Sequence, residues 1–263
     1  MTQADNWGDA ARIGIFIVAS EVVPEAEWWA MRPAGASVHA ARVAASAPWA
    51  TCREDRAGVD LAPDVERGCA AFQAIRPVSA VLAHSSSSFV GGTGWDDAVI
   101  AAMTQRLAPG TTATTNGLDI RLALTHLGLR RPFLVMPAWM TDRLVTSAVD
   151  YLSAFGFSAP AAWRHEPDPP WQDIPPQDLY TRGMAINQET STLFDQVCRH
   201  CPSEADGILL AGTGLRCASL IDALEAKLKR PVVTANQASL WRAQQLAQWR
   251  GTIAGYGALL RGA

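Results

Sequence analysis

Val78-Ser-Ala-Val-Leu-Ala-His-Ser-Ser-Ser-Ser-Phe-Val-Gly-Gly92 and Asp206-Gly-Ile-Leu-Leu-Ala-Gly-Thr-Gly-Leu-Arg216 are one device used twice in this chain. Each is a short apolar run that breaks into small hydroxyl and glycine residues and then continues into a helix-like segment. A buried parallel strand ending in such a loop directs free backbone N–H groups and hydroxyls at one spot, which suits an anion. Two such loops imply two half-domains facing each other across one site.

The flanking sequence supports that plan. Ile13-Gly-Ile-Phe-Ile-Val18 reads as a buried parallel strand, followed by the Trp-rich Glu25-Ala-Glu-Trp-Trp29 and a second strand at Ala36–Ala40. A helix is expected over 62–75, a strand over 78–83 and an amphipathic helix over 96–107. Thr112-Ala-Thr-Thr-Asn-Gly117 is expected to open a helix running through His126. The second half repeats the order, with a strand at Phe133–Met136, a helix over 140–155 and a long helix over 177–200. The Pro-rich stretch Pro167–Pro176 is a surface or interlobe connection. A strand at 207–211, a helix over 216–228 and Val232–Gln237, which opens the last helices, complete the chain. Ile13 and Phe133 lie 120 positions apart, Thr115 and Ala235 also 120, and Ala83 and Ala211 128. The expected fold is therefore α/β, with two pseudo-symmetric lobes, each a parallel sheet flanked by helices, and the active site between them. Residues 1–113 plus 236–263 are assigned to one lobe and 114–235 to the other.

Composition narrows the function classes. At 49% hydrophobic and 18% charged the chain is an ordinary globular protein, and no apolar run approaches the roughly 20 residues that span a bilayer. A net charge of −3 gives no electrostatic case for a nucleic-acid partner. The polar, acidic start Met1–Asp9 does not resemble a secretory signal, so a soluble cytoplasmic protein is expected. Five scattered cysteines fit reduced thiols. Cys198-Arg-His-Cys201 lacks a second CxxC partner, so no metal site is assigned. Exposed Trp and Leu would suit a homodimer.

The segments Ser20 through Glu25-Ala-Glu27, Ala83–Gly92, Ala113-Thr-Thr-Asn116, Val135-Met-Pro137 and Asp206–Arg216 carry a resemblance. Arg230-Pro-Val-Val-Thr-Ala-Asn-Gln-Ala-Ser-Leu-Trp241 is its most specific part. Together they resemble the aspartate/glutamate racemase superfamily, in its maleate cis-trans isomerase and arylmalonate decarboxylase branch. The resemblance implies a cofactor-free enzyme that holds a small carboxylate between two lobes. It also exposes departures. Glu21 stands where the branch usually has Asn, and Ala138 where a Tyr follows a Pro. His84 aligns with the first-loop cysteine of the isomerases, and Gly212 with the second-loop cysteine.

Two-base racemisation needs a protic group on each face of the substrate carbon, and Gly212 supplies none. Cys217, five positions on, is expected to lie down the helix and away from the loop. Thiolate addition needs a nucleophile where His84 sits, and imidazole is a better proton shuttle near neutral pH than a covalent nucleophile. One-sided proton chemistry remains: a lyase or isomerase reaction on a small carboxylic acid through an enolate-like intermediate, with no cofactor. His84, Glu21 and Ser86 are the candidate catalytic residues. Ser85, Ser87, Asn116, Gly212, Thr213, Gly214, Asn236 and Trp139 are candidate substrate contacts, and Trp28 and Trp139 candidate cleft walls. Glu21 has three readings: it orients His84, acts as a second acid/base, or pairs with Arg12 or another cation. A hydrolase using one of Ser85–Ser88 with His84 and Glu21, and a non-catalytic carboxylate-binding homologue, are the alternatives.

Overall fold

The computed structural model describes residues 7–54 and 58–262. The start of the polar segment read as lacking a signal, residues 1–6, lies outside them. In chain order come β1 (Ala11–Val18), α1 (Val23–Met31), β2 (Ala36–Val43), β3 (Ala50–Cys52), β4 (Val59–Leu61), α2 (Pro63–Ile75) and β5 (Ser79–Leu82). Then follow α3 (Ser85–Gly91), α4 (Trp95–Thr104), β6 (Thr112–Thr115), α5 (Asn116–His126), β7 (Pro132–Met136), α6 (Asp142–Ala154) and β8 (Ala162–Arg164). The chain ends with α7 (Pro176–Leu179), α8 (Met184–Asn187), α9 (Thr190–His200), β9 (Gly207–Leu210), α10 (Ile221–Leu228), β10 (Val232–Thr234), α11 (Ala235–Leu246) and α12 (Gly257–Arg261).

Two four-stranded parallel sheets result, ordered β2-β1-β5-β6 and β10-β9-β7-β8. Read from the edge strand nearest the first strand of each half, the order is the same, so β1 corresponds to β7 and β5 to β9. Buried on both faces, β1 is a near-continuous apolar run. Ile13, Ile15 and Ile17 enter the core shared with Phe133, Leu134 and Ile208, while Phe16 packs with Val43, Phe72 and Trp95. Helices α5 and α11 pack on each other, and each touches a strand of the other half's sheet: α5 meets β10, and α11 meets β5. The α/β architecture with paired parallel sheets is the one expected.

Several local expectations are corrected. Thr112–Thr115 is a strand, not a helix start, because its register pairs Leu82 with Thr115 at the sheet edge. Thr115 then caps α5 by accepting from Leu118 N–H, as Thr234 caps α11 by accepting from Gln237 N–H. Aligned by caps, Asn116 is the first residue of its helix and Asn236 the second of its own, so they are not equivalent. The serine loop is itself a helix, α3. The expected long helix over 177–200 is broken into α7, α8 and α9, with Gly183 at φ +92° and Gln188 extended. The β3–β4 hairpin and β8 were not anticipated. The exposed large apolar side chains among the described residues are Trp7, Trp29, Val22, Val90 and Ile186, with no Leu. No helix among those residues is long and apolar enough to cross a membrane.

Polar side chains tie the halves together. Glu27 on α1 is buried and accepts the N–H groups of Cys217 and Ala218, both at 2.8 Å, and the Asn236 amide at 2.7 Å. Truncation would leave three buried donors without an acceptor, each costing about 1–3 kcal/mol. Glu27→Ala is therefore expected to destabilise the fold by roughly 3 kcal/mol or more, read as a fall in the urea midpoint. A change below about 0.5 kcal/mol, the scale of surface substitutions, would show that these bonds do not hold the halves together.

Candidate functional site

The carboxyl ends of β1, β5, β7 and β9, the two central strands of each sheet, open into one cleft of about 530 Å³. Such ends are where α/β sheets bind ligands. Glu21 arrives from the β1–α1 turn, His84, Ser85 and Ser86 from the start of α3, Trp139 from the turn after β7, and Thr213 with Gly214 from the loop after β9. Seven of the residues singled out from the sequence are thus brought together.

His84 is the N-cap of α3, with its ring stacked on Trp49 at 4.1 Å between centroids and 17° between planes. Its Nδ1 lies 2.8 Å from Ser87 Oγ, which also accepts the Trp49 N–H at 2.9 Å. Burial lowers the imidazole pKa to about 3, because the charged ring would lose its hydration. Burial thus disfavours the charged ring, which weighs against the neutral-pH shuttle expected from the sequence. Ser86 Oγ donates only a weak bond to Met140 Sδ at 3.8 Å.

The loop after β9 depends on two glycines. Gly212 sits at φ +93°, where an added Cβ would lie 2.6 Å from Pro137 Cγ, so a side chain there would strain the backbone and force Pro137 to shift. A Cβ on Gly214 would lie 2.6 Å from Glu21 Oε1, so the bare backbone there makes room for the carboxyl group.

Glu21 is only 7% exposed, and Thr213 Oγ1 donates to its Oε2 at 3.3 Å. No cation pairs with that carboxyl among the described residues. Arg12 donates to the Ile75 carbonyl, and Arg42 donates to the main-chain oxygens of Ala19 and Glu21 while pairing with Glu25. The cation-paired reading of Glu21 is therefore corrected. Burial raises its pKa to about 8, partly offset by the Thr213 bond.

Other expected contacts lie outside the cleft. Ser87 is fully buried behind His84, and Ser88 donates to the buried Asp96 at 2.7 Å. The Asn116 amide donates to Ala235 O and Ser239 Oγ, and the Asn236 amide to Glu27 and to Thr213 O, so both hold helices rather than ligand. Trp28 is completely buried in the core and walls nothing. Cys217 is buried, its N–H bound to Glu27. Among the described residues no group of three or more His, Cys, Asp or Glu is placed to hold a metal ion.

The sequence reading missed Tyr180, which stands against Trp139 with centroids 5.7 Å apart and completes an aromatic wall. Its hydroxyl pKa is raised by burial and by the nearby Glu21. Gly183, inside the segment read as one helix, was the available signal for a break there. A second cavity of about 290 Å³ shares Glu21, Tyr180 and Gly214 with the cleft.

Residues 64–260 match the family model for arylmalonate decarboxylase. The chain belongs to the arylmalonate decarboxylase family. A crystal structure of arylmalonate decarboxylase has TM-score 0.71 and 22% identity, covering 96% of this chain and 100% of that one. The maleate isomerase Iso from Pseudomonas putida S16 has TM-score 0.77 at 18% identity, covering 96% and 98%. A Nocardia farcinica maleate cis-trans isomerase, solved with a covalently bound succinylcysteine intermediate, has TM-score 0.74 at 18% identity, covering 95% and 98%. At these identities the structures share the fold. No curated protein sequence matches the chain.

The two titratable groups of the cleft have opposite linkage. Below pH 4.5 Glu21 is protonated in both folded and unfolded chains; from 4.5 to about 8 only the unfolded chain releases the proton, so stability falls across that window. His84 acts the other way, its contribution being lost as pH falls from 6.5 toward 3. Glu21→Gln keeps the shape and removes the ionisation. Its stability relative to wild type is expected to rise between about pH 4.5 and pH 8 by at least about 1.4 kcal/mol, the value of one pKa unit, and then level off. Thermal melts across that range check it, and a pH-independent difference would mean that Glu21 ionises normally.

Proposed function

We propose that the protein is a cofactor-independent lyase or isomerase that acts on a small carboxylic acid through an enolate-like intermediate, with Glu21 as the proton-exchanging group. The observation that carries this reading is a buried carboxyl in the cleft wall with no cation beside it among the described residues, where burial raises its pKa to about 8 and so favours the acid form at physiological pH. A neutral carboxylic acid donates a proton to carbon and is recharged from water. In a decarboxylation, the C–C bond to one carboxylate breaks, its electron pair stays on the substrate as an enediolate, and CO2 leaves. The Glu21 O–H bond then gives its proton to the carbon, and the resulting carboxylate takes a proton from solvent. In hydrogen exchange the minor ionised form of Glu21 first removes a C–H proton, the electron pair stays on the substrate as an enolate, and Glu21, after trading that proton with solvent, returns one to the same carbon. The neutral His84, the hydroxyls of Ser85, Ser86 and Thr213, and the loop N–H groups are assigned to the substrate oxygens. Trp139 and Tyr180 provide a dry wall beside the reacting carbon.

In this reading the acid lies on the β1 turn rather than at His84 or Gly212, the positions at which the family resemblance places cysteines. The hydrolase alternative lacks its central contact: neither Ser85 nor Ser86 bonds to His84, and the serine that does, Ser87, is fully buried.

Proton NMR in D2O, over aryl- and alkyl-malonates, 2-substituted acids and maleate, tests the assignment. Glu21→Gln is expected to lower turnover by about 10²–10⁴-fold, the usual loss for a general acid, and His84→Ala by about 10–10²-fold. Decarboxylation by wild type should decline above about pH 8, where the acid form of Glu21 is lost. Full turnover by Glu21→Gln would refute the assignment. Compounds that raise the melting temperature without exchange or CO2 loss would instead identify a carboxylate-binding protein.

A further inference from the structure

We infer that Ser87 and the Trp49 main chain hold His84 in the Nε2–H tautomer, so that the ring presents a hydrogen-bond donor, and no acceptor, to the cleft. The ligand chemistry this selects is a bare oxygen, carboxylate or enolate; the assignment of that oxygen to a substrate rests on the function proposed above.

The argument is one of counting protons and lone pairs. A backbone N–H only donates, so the Trp49 N–H at 2.9 Å occupies one lone pair of Ser87 Oγ. Ser87 is completely buried, and its hydroxyl proton has one acceptor within reach among the described residues, His84 Nδ1 at 2.8 Å. A buried hydroxyl uses its proton, so Ser87 donates to Nδ1 and the ring proton resides on Nε2. Nε2 has no partner among the described residues and is not among the buried polar atoms left unpaired, so it opens toward the cleft that His84 lines.

The ring plane is fixed independently. His84 as N-cap and Ser87 three residues on are joined through the main chain as well, the Ser87 N–H donating to His84 O at 3.1 Å. The stacked Trp49 indole is itself pinned, with its Nε1 donating to Ala45 O at 2.9 Å. Ser87 and Trp49 are thus positioning residues: they touch no ligand, but decide which nitrogen His84 offers to one.

Nitrogen-15 NMR of histidine-labelled protein, with His84 assigned by the signal lost in His84→Ala, reads the tautomer directly and needs no substrate. The expected wild-type pattern is a pyridine-like Nδ1 and a pyrrole-like Nε2. Ser87→Ala should give a mixture of tautomers and a fall in kcat/KM of about tenfold, chiefly through KM, the scale of one hydrogen bond. Ser87→Thr, which restores the hydroxyl, should return both readouts toward wild type. A pyrrole-like Nδ1 in wild type, or an unchanged tautomer in folded Ser87→Ala, overturns the inference. If Ser87→Ala does not fold, the wild-type pattern alone decides. A correct tautomer in a protein that turns over none of the acids would leave this inference standing and remove the proposed function.

Discussion

The site depends on one buried carboxylate that does not line the cleft holding Glu21 and His84. Glu27 binds the main chain at Cys217 and Ala218 and the amide of Asn236, and that same amide donates to Thr213 O at 2.9 Å. A helix of the first half thereby dictates the path of the loop after β9 in the second half, and places Thr213 and Gly214 against Glu21. A carboxylate survives burial only when donors surround it, so these bonds are obligatory partners rather than decoration. The companion tie runs through Asn116, which bonds Ala235 O and Ser239 on α11, while Ser239 donates to the buried Asp119 at 2.7 Å. The two halves are therefore set relative to each other by directional bonds at the helices that exchange sheets, with the apolar core filling the space between.

Glu21 and Glu27 lie on one short segment and are nearly equally buried, yet their surroundings differ in kind. Glu27 has three strong donors on its two oxygens, whereas Glu21 has one long bond from Thr213 and a cavity in front of it. Loss or gain of a proton at Glu27 would break bonds that hold the loop. At Glu21 it would cost little beyond hydration. Environments that separate two carboxyls in this way can divide structural from reactive roles, the division proposed here for Glu27 and Glu21. Gly214 belongs to the same arrangement, since any side chain there would take the space of the Glu21 carboxyl.

Much of the architecture was legible because parallel strands buried on both faces leave a strong mark: Ile13–Val18, Phe133–Met136 and the strands Ser79–Leu82 and Gly207–Leu210 all fold as read. What failed were elements whose signal is short or contextual. Thr112–Thr115 has the composition of a helix cap as much as of a strand, and only pairing with β5 decides it. Of the candidates read from the loop positions after each strand, Glu21, His84, Ser85, Ser86, Trp139, Thr213 and Gly214 line one cleft. The pseudo-symmetry that suggested Asn116 and Asn236 was misleading, because a spacing of 120 matches residues that the helix caps put one step out of register. Tyr180 was hidden by a helix expected to run unbroken, and the state of His84 by the stacking of Trp49, which is remote in sequence.

The two glycines after β9 act in opposite directions, and together they account for where the chemistry is assigned. Gly212 has a backbone conformation that strains any side chain and a neighbour, Pro137, that would have to shift for one, so a protic group restored at that position by substitution would carry that cost. Gly214, two residues on, leaves the space through which a carboxyl from the other sheet enters the same cleft. Glu21, on the turn after β1, approaches the cleft from the first sheet, as His84 does just after β5, whereas the second half contributes Thr213, the loop backbone and the aromatic wall. The proposed division of labour is therefore between halves: acid and oxygen-binding imidazole on one side, hydroxyl and apolar surface on the other. An asymmetric assignment of this kind is what a duplicated fold permits once only one of its two equivalent loops retains room for a side chain at the strand end.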